Sequence, residues 1–209
     1  MKIISDNTFL HNSLMIVLVF VIIFFTSCNS CSEKKDSLDR ESKEPSQEEL
    51  KDEGVKNIDS INQATIKPLQ KGDKYVNINM HSKQNKKITL ARFCGGHKYT
   101  VVIFWTSWCD CVDEFHKMKD DYRLYKDRGV EFLGVSLDEK EDLWQNAVHQ
   151  YNLPWKQFSD PEGLTGPVAQ LYDVNKVPYT IVLDADGNIV AKGITAQTLD
   201  EEMNKLLSR

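Results

Sequence analysis

The sequence has no run of lysine or arginine interleaved with aromatic residues, and its net charge is −5. Nucleic acid, which is gripped mainly through phosphates by such basic stretches, is therefore set aside as a partner. No internal repeat is visible. The longest apolar run, Leu14 to Phe25, falls short of the roughly 20 residues that a membrane-spanning helix needs. Nor is there material for two full domains, since 209 residues with 41% hydrophobic content suit one core plus additional segments. Large apolar residues are also scarce from Asn29 to about Ile61, where Ser, Glu, Asp, Lys and Asn surround Pro45 and Gly54. Such a stretch cannot bury enough surface to offset its ordering entropy, and it reads as a soluble tether. A short amphipathic helix around Glu48 to Ile61 is the rival reading.

What is present begins with an export pattern: Lys2, then the apolar run, then small residues leading into Thr26-Ser27-Cys28. Phe25-Thr26-Ser27-Cys28 resembles the lipobox of bacterial lipoproteins. The resemblance implies cleavage before Cys28 and a lipid on its sulfur. The chain is accordingly expected to divide into a signal peptide (1–27), a lipidated tether (28–65) and a folded domain (66–209). Its expected place is the cell envelope, lipid-anchored to a membrane, with the domain facing the periplasm. The acidic and lysine-rich residues after Cys28 hint at the cell surface instead.

The folded part is expected to be α/β. Tyr75 to Met80 alternates as a half-buried strand should and can pair with Lys87 to Leu90 as a leading hairpin. Thr100 to Trp105 is a continuous apolar, β-branched run suited to a central strand buried on both faces. A helix is predicted from about Cys109 to Arg128, with Val112, Phe115, Met118, Tyr122 and Tyr125 at helical spacing. A strand follows at Val130 to Val135, then a helix from Asp138 to Tyr151, with Asp138 and Glu141 as a capping box. Strand, helix, strand at this spacing implies a right-handed parallel crossover. After a short helix with Val168, Leu171 and Tyr172, the strand Tyr179 to Leu183 turns at Asp184 to Gly187 into Asn188 to Lys192. Thr198 and Glu201 would cap a closing helix.

The chemistry is expected in Trp105-Thr106-Ser107-Trp108-Cys109-Asp110-Cys111, at the strand end where open α/β sheets place their sites. A cysteine at a helix start has its thiolate stabilised by exposed N–H groups and the helix dipole, which marks Cys109 as the nucleophile. An exported chain also meets an oxidising compartment, where neighbouring thiols seldom stay idle. From about residue 70 onward the sequence resembles the thioredoxin superfamily, specifically the exported TlpA and ResA type of thiol-disulfide oxidoreductases. The resemblance rests on Phe104 to Cys109, Glu114 three residues after Cys111, Val177-Pro178, and Asp184 to Gly187 with Ile189-Val190. It implies a thioredoxin-like fold, a central mixed sheet flanked by helices with an N-terminal hairpin extension. It implies that Cys109 attacks, that Cys111 resolves the mixed disulfide and that Pro178 is cis beside them. Glu114 would be the partly buried acid tuning the pair, since Ile103 stands where other thioredoxins place an acid. Trp108 and Val177 would meet the client, the latter through its backbone. Clients would be protein thiols and disulfides, with a membrane or soluble redox partner and no cofactor or metal.

One departure matters most: the family normally has two residues between the cysteines, and here there is one. Residues i and i+2 of a helix point roughly 200° apart, so Cys109 and Cys111 can bond only where the backbone unwinds. A bond so made is expected to be strained and easily reduced. Two other readings stand beside this one. Gly72-Asp73 and Gly129 to Asp138 also resemble the thiol peroxidase branch of the superfamily, although the proline that such enzymes place before the Thr and peroxidatic Cys is missing. Cys109, Cys111 and a histidine such as His116 could instead form a soft site for copper. Cys94, in Phe93-Cys94-Gly95-Gly96-His97, is a third redox thiol, a resting disulfide partner or a small residue in a turn.

Overall fold

A computed structural model of the chain describes residues 55–62 and 65–208. The export pattern, Cys28, Cys31 and most of the tether lie outside the described residues. The expected mixed α/β architecture is present: a seven-stranded sheet in the order β2-β1-β5-β4-β3-β6-β7.

β3 (Tyr99–Trp105) is its axis and, as its unbroken apolar run suggests, is buried on both faces. It pairs in parallel with β4 (Val130–Ser136) and antiparallel with β6 (Tyr179–Asp184), which turns back into β7 (Ile189–Ile194). α1 (Val112–Tyr125) connects β3 to β4, and α2 (Glu141–Tyr151) connects β4 to β5 (Lys156–Ser159). Both crossovers join parallel neighbours and step in the same direction across the sheet. Right-handedness then places both helices on one face. There Phe115, Met118 and Trp144 meet Val101, Ile103 and Trp105, joined by α4 (Ala196–Leu207) through Leu199 and Met203. Val102 and Phe104 point to the other face, where α3 (Pro167–Tyr172) packs with Val168 and Tyr172.

The leading hairpin forms, but only as β1 (Asn79–His81) and β2 (Lys87–Thr89). Tyr75 and Val76 are buried as the alternation predicts, yet their backbone bonds go elsewhere. Tyr75 N–H donates to Gly187, and Val76 exchanges both its backbone bonds with the Tyr172 hydroxyl. Asn77 pairs with the stretch around Lys56 and Ile58. Composition assigns that stretch to the tether, but here Val55, Ile58 and Ile61 pack against the α3 side of the core. Both expected capping boxes are displaced. α4 starts at Ala196 and is capped by Thr195 with Thr198, which become N-cap and N3. α2 starts at Glu141 with Lys140 at its N-cap, and Asp138 is engaged elsewhere.

Sequence reasoning missed β5, whose Lys-Gln-Phe-Ser carries little apolar signal. Its Gln157 is nonetheless buried, because the Trp105 indole reaches across β4 to donate to Gln157 Oε1 at 3.1 Å. Gly134, in register with both Ile103 and Gln157, makes the space. A Cβ at Gly134 would lie 2.0 Å from Gln157 Oε1. Gly134→Ala should therefore push the amide aside and strand the buried indole N–H, at about 1–3 kcal/mol by urea unfolding. In a Gln157→Ala background, where that bond is already gone, the same substitution should cost much less. Equal costs in both backgrounds would refute this account of the glycine.

Candidate functional site

The site is built where β3 ends. The Trp105 carbonyl accepts the Leu137 N–H at 2.8 Å, so β3 and β4 finish together. The chain then turns, with Cys109 N–H donating to Thr106 O at 3.3 Å. α1 does not begin at Cys109, as the periodicity suggested, but at Val112. Cys111 is its N-cap, with φ −115° and ψ 22°, and the Cys111 carbonyl accepts the first helical bond from Phe115. The correction has a simple cause. Cys109 and Cys111 are joined in a disulfide, with Cα atoms 5.2 Å apart, and helical backbone would point residues at i and i+2 away from each other.

The shift alters the electrostatics expected at the site. Cys111 rather than Cys109 adjoins the helix N-terminus, so the dipole acts most directly on the inner sulfur. Asp113 and Glu114 in the first turn of α1 favour the helix but offset that positive end toward a thiolate. Cys109 is 8% exposed and Cys111 2%, so both are buried and Cys109, the outer of the two, is the more open to another molecule. Beside them Trp108 is 66% exposed and Val112 41%, an apolar rim unusual for side chains of this size.

The other expected site residues are placed as follows. Glu114 is half-buried in the first turn of α1. The register of Phe104 with Tyr179 brings Val177 and Pro178 to the same end of the sheet as the cysteines. The Val177-Pro178 peptide is cis, as the resemblance implied, and half-buried Val177 touches the cores of both sheet faces. His116 is exposed on α1, and among the described residues no group of three or more His, Cys, Asp or Glu is placed to hold a metal. Cys94 is buried with Phe93, Val102 and Tyr172 on the face opposite the disulfide, so it is a small core residue and not a partner of the pair.

Two residues at the site were assigned otherwise or overlooked in the sequence. Asp138 is 3% exposed and accepts from Ser107 N–H at 2.8 Å, Ser107 O–H at 2.8 Å and Ser136 O–H at 2.7 Å. Its spacing from Glu141 imitated a capping box. The better signal was polar residues at the ends of two adjacent parallel strands. Asp160, just after β5, is tied to the same cluster through its N–H, which donates to Ser136 O at 2.8 Å. Its Oδ1 accepts from Glu162 N–H at 3.2 Å, while buried Oδ2 has no hydrogen-bond partner among the described residues. Burial pushes the Asp160 carboxyl up to about 6, with the Glu162 backbone bond opposing and the Glu162 charge adding.

Comparison with known proteins agrees with this geometry. The AhpC/TSA family model matches residues 71–192. A thiol-disulfide oxidoreductase ResA of Bacillus cereus is 32% identical over 134 residues, covering 64% of this chain and 75% of the relative. The ResA of Bacillus thuringiensis is 30% identical over 127 residues, covering 60% and 70%. Among solved structures, the thioredoxin domain of a thiol-disulfide oxidoreductase from Bacteroides vulgatus superposes with a TM-score of 0.59 at 27% identity. That likeness covers 66% of this chain and 99% of the other. A thiol-disulfide oxidoreductase from Bacteroides fragilis gives 0.57 at 26% identity, with the same coverages of 66% and 99%.

The raised Asp160 carboxyl makes stability depend on pH. Its folded value, about 6, lies above the ordinary 3.8, so the folded state binds the proton more tightly than the unfolded chain. The stabilisation is complete below about pH 4 and is lost as pH rises through about 6, on the order of 2–3 kcal/mol. Asp160→Asn, which keeps a neutral polar group there, should flatten that decline in urea unfolding measured between pH 4 and 8. A decline of unchanged size in the variant would show that another group causes it.

Proposed function

Because the chain belongs to the AhpC/TSA family and is a thiol-disulfide oxidoreductase of the TlpA/ResA type, we propose that it exchanges disulfides with protein clients through Cys109 and Cys111 outside the cytoplasm. The observation that carries this reading is the Cys109–Cys111 disulfide at the strand end, with Cys109 the more exposed of the two residues. In the oxidising direction a client thiolate attacks Cys109 Sγ, the Cys109–Cys111 bond breaks and Cys111 leaves with the electron pair. A second client thiolate then attacks the client sulfur of the mixed disulfide, which forms the client disulfide and releases Cys109. In the reducing direction Cys109 attacks a client disulfide, and Cys111 closes onto Cys109 to free the client.

The neighbours are assigned by place. Exposed Trp108 offers an apolar contact to the client, and the Val177 backbone ahead of cis-Pro178 pairs with an extended client segment. Glu114, half-buried one turn into α1, is the acid that tunes the pair. Partners on this reading are protein thiols and disulfides together with a membrane or soluble redox protein that resets the pair. The lipid on Cys28 and a periplasm-facing or surface position belong to the same proposal. They rest on the Phe25 to Cys28 pattern, and no helix among the described residues is long and apolar enough to cross a membrane.

The test is equilibration of the protein in redox buffers, alkylation of thiols and intact mass. A reversible two-thiol transition confined to Cys109 and Cys111, untouched by Cys94→Ser, is expected. Cys109→Ser should abolish exchange with a model client, whereas Cys111→Ser should accumulate the mixed disulfide. No reversible transition at the pair would overturn the proposal.

A further inference from the structure

The geometry points to Asp138 as a positioning residue of the redox site: through Ser107 it fixes the loop that carries Cys109 and favours the disulfide over the dithiol. This rests on the proposed exchange at Cys109 and Cys111 and adds a determinant of its direction.

Consider first how little else holds that loop. Between the end of β3 and the start of α1, its described backbone hydrogen bonds are a Cys109 N–H to Thr106 O contact at 3.3 Å, the Ser107 N–H to Asp138, and, at the helix start, the Phe115 N–H to the Cys111 carbonyl. The Thr106 hydroxyl is buried without a hydrogen-bond partner. Asp138 Oδ2 takes the Ser107 N–H and the Ser136 O–H, Oδ1 takes the Ser107 O–H, and Asp138 N–H returns to Ser136 Oγ at 3.0 Å. The result is a closed ring of Ser107, Asp138 and Ser136 across the ends of β3 and β4. The carboxylate is not used as a cap, since α2 begins beyond it with Lys140 at the N-cap. A buried acid that accepts three donors, two of them from Ser107, and has no duty to its own helix serves the loop.

Two effects then act on the sulfur. Ser107 precedes Cys109 by two peptide units, which limits their Cα separation to about 7.6 Å. The Asp138 carboxylate, which accepts the Ser107 N–H at 2.8 Å and so sits against the loop that carries Cys109, raises the cost of a thiolate there, while the uncharged disulfide is indifferent to it. The Ser107 N–H, already donated to Asp138, is also withheld from a thiolate. Both effects penalise the reduced state in so far as it is a thiolate, and both act against the reducibility expected of so short a ring. Asp110, Asp113 and Glu114 add charge of the same sign nearby, and these remain when Asp138 is altered.

The experiment is the redox midpoint of the intact chain at fixed pH, read by alkylation and mass in dithiothreitol buffers, for wild type, Asp138→Asn and Ser107→Ala. Asp138→Asn should shift the exchange equilibrium toward the dithiol by about tenfold, equivalent to about 30 mV upward for a two-electron couple. Ser107→Ala keeps the carboxylate and the backbone bond, so it should shift the same way by less. The double variant should add little to Asp138→Asn alone. A lowered melting temperature with an unmoved midpoint would mean that Asp138 only stabilises the fold, and would overturn the inference. If Asp138→Asn does not fold, Ser107→Ala decides by the same criterion. A wild-type chain with no titrating pair would defeat the proposed exchange itself, and with it this inference, whereas a titrating wild type with unshifted variants defeats this inference alone.

Discussion

A disulfide between residues two apart cannot close on helical backbone, and the organisation of the site follows from that constraint. The helix that periodicity places at Cys109 starts only at Val112, and the turn so released from helical bonding carries the outer sulfur. Such a turn needs another hold. It is held by the Trp105 to Leu137 backbone bond and by the Ser107, Asp138 and Ser136 ring, which draw on the ends of β3 and β4 rather than on the helix. With one residue between the cysteines, the loop thus draws its support from the sheet.

The sheet can take that role because its interior near the site is stiff. Trp105 is fully buried, edge-on to Phe115 of α1 and hydrogen-bonded across β4 to Gln157 of β5. One indole therefore ties the axis strand both to the following helix and to β5, two strands away. The polar groups gather where the parallel strands end: Ser107 after β3, Ser136 and Asp138 at β4, and Asp160 after β5. Strand ends in such sheets are where backbone groups run out of ladder partners, so buried side-chain acceptors there have work that an apolar residue could not do.

Much of this was legible in the residues. The unbroken run to Trp105 announced the axis strand, the spacing of Val130 to Val135 announced its parallel neighbour, and Tyr179 to Leu183 was readable as a strand of the closing hairpin. The strand-end position of the cysteines and the need for unwound backbone between them were also readable. What failed did so for identifiable reasons. β5 is short and begins Lys-Gln, and Gln157, two strands from Trp105, is buried against its indole because Gly134 on the intervening strand leaves room, a relation that no local window contains. Asp138 obeyed a capping rule by spacing, but two serines from separate strands compete for its carboxylate and win. At α4 a box was expected at Thr198 and Glu201, while the helix entered one turn earlier, with Thr195 as its N-cap just beyond the end of β7. The tether composition near Ile58 concealed a few apolar residues sufficient to pack on the α3 side.

Cys94 and the disulfide lie on opposite sides of a sheet whose axis strand is buried throughout. The sheet is thus a partition within the molecule. On the proposed exchange, Cys111 is the cysteine among the described residues that can discharge a client caught on Cys109 from within, because Cys94 would have to pass through packed strands to intervene. The fate of each covalent complex is then a contest between one internal thiol and whatever the client itself supplies. Dwell time on the protein becomes a property of the Cys111 approach alone, open to adjustment without touching the sulfur that makes first contact.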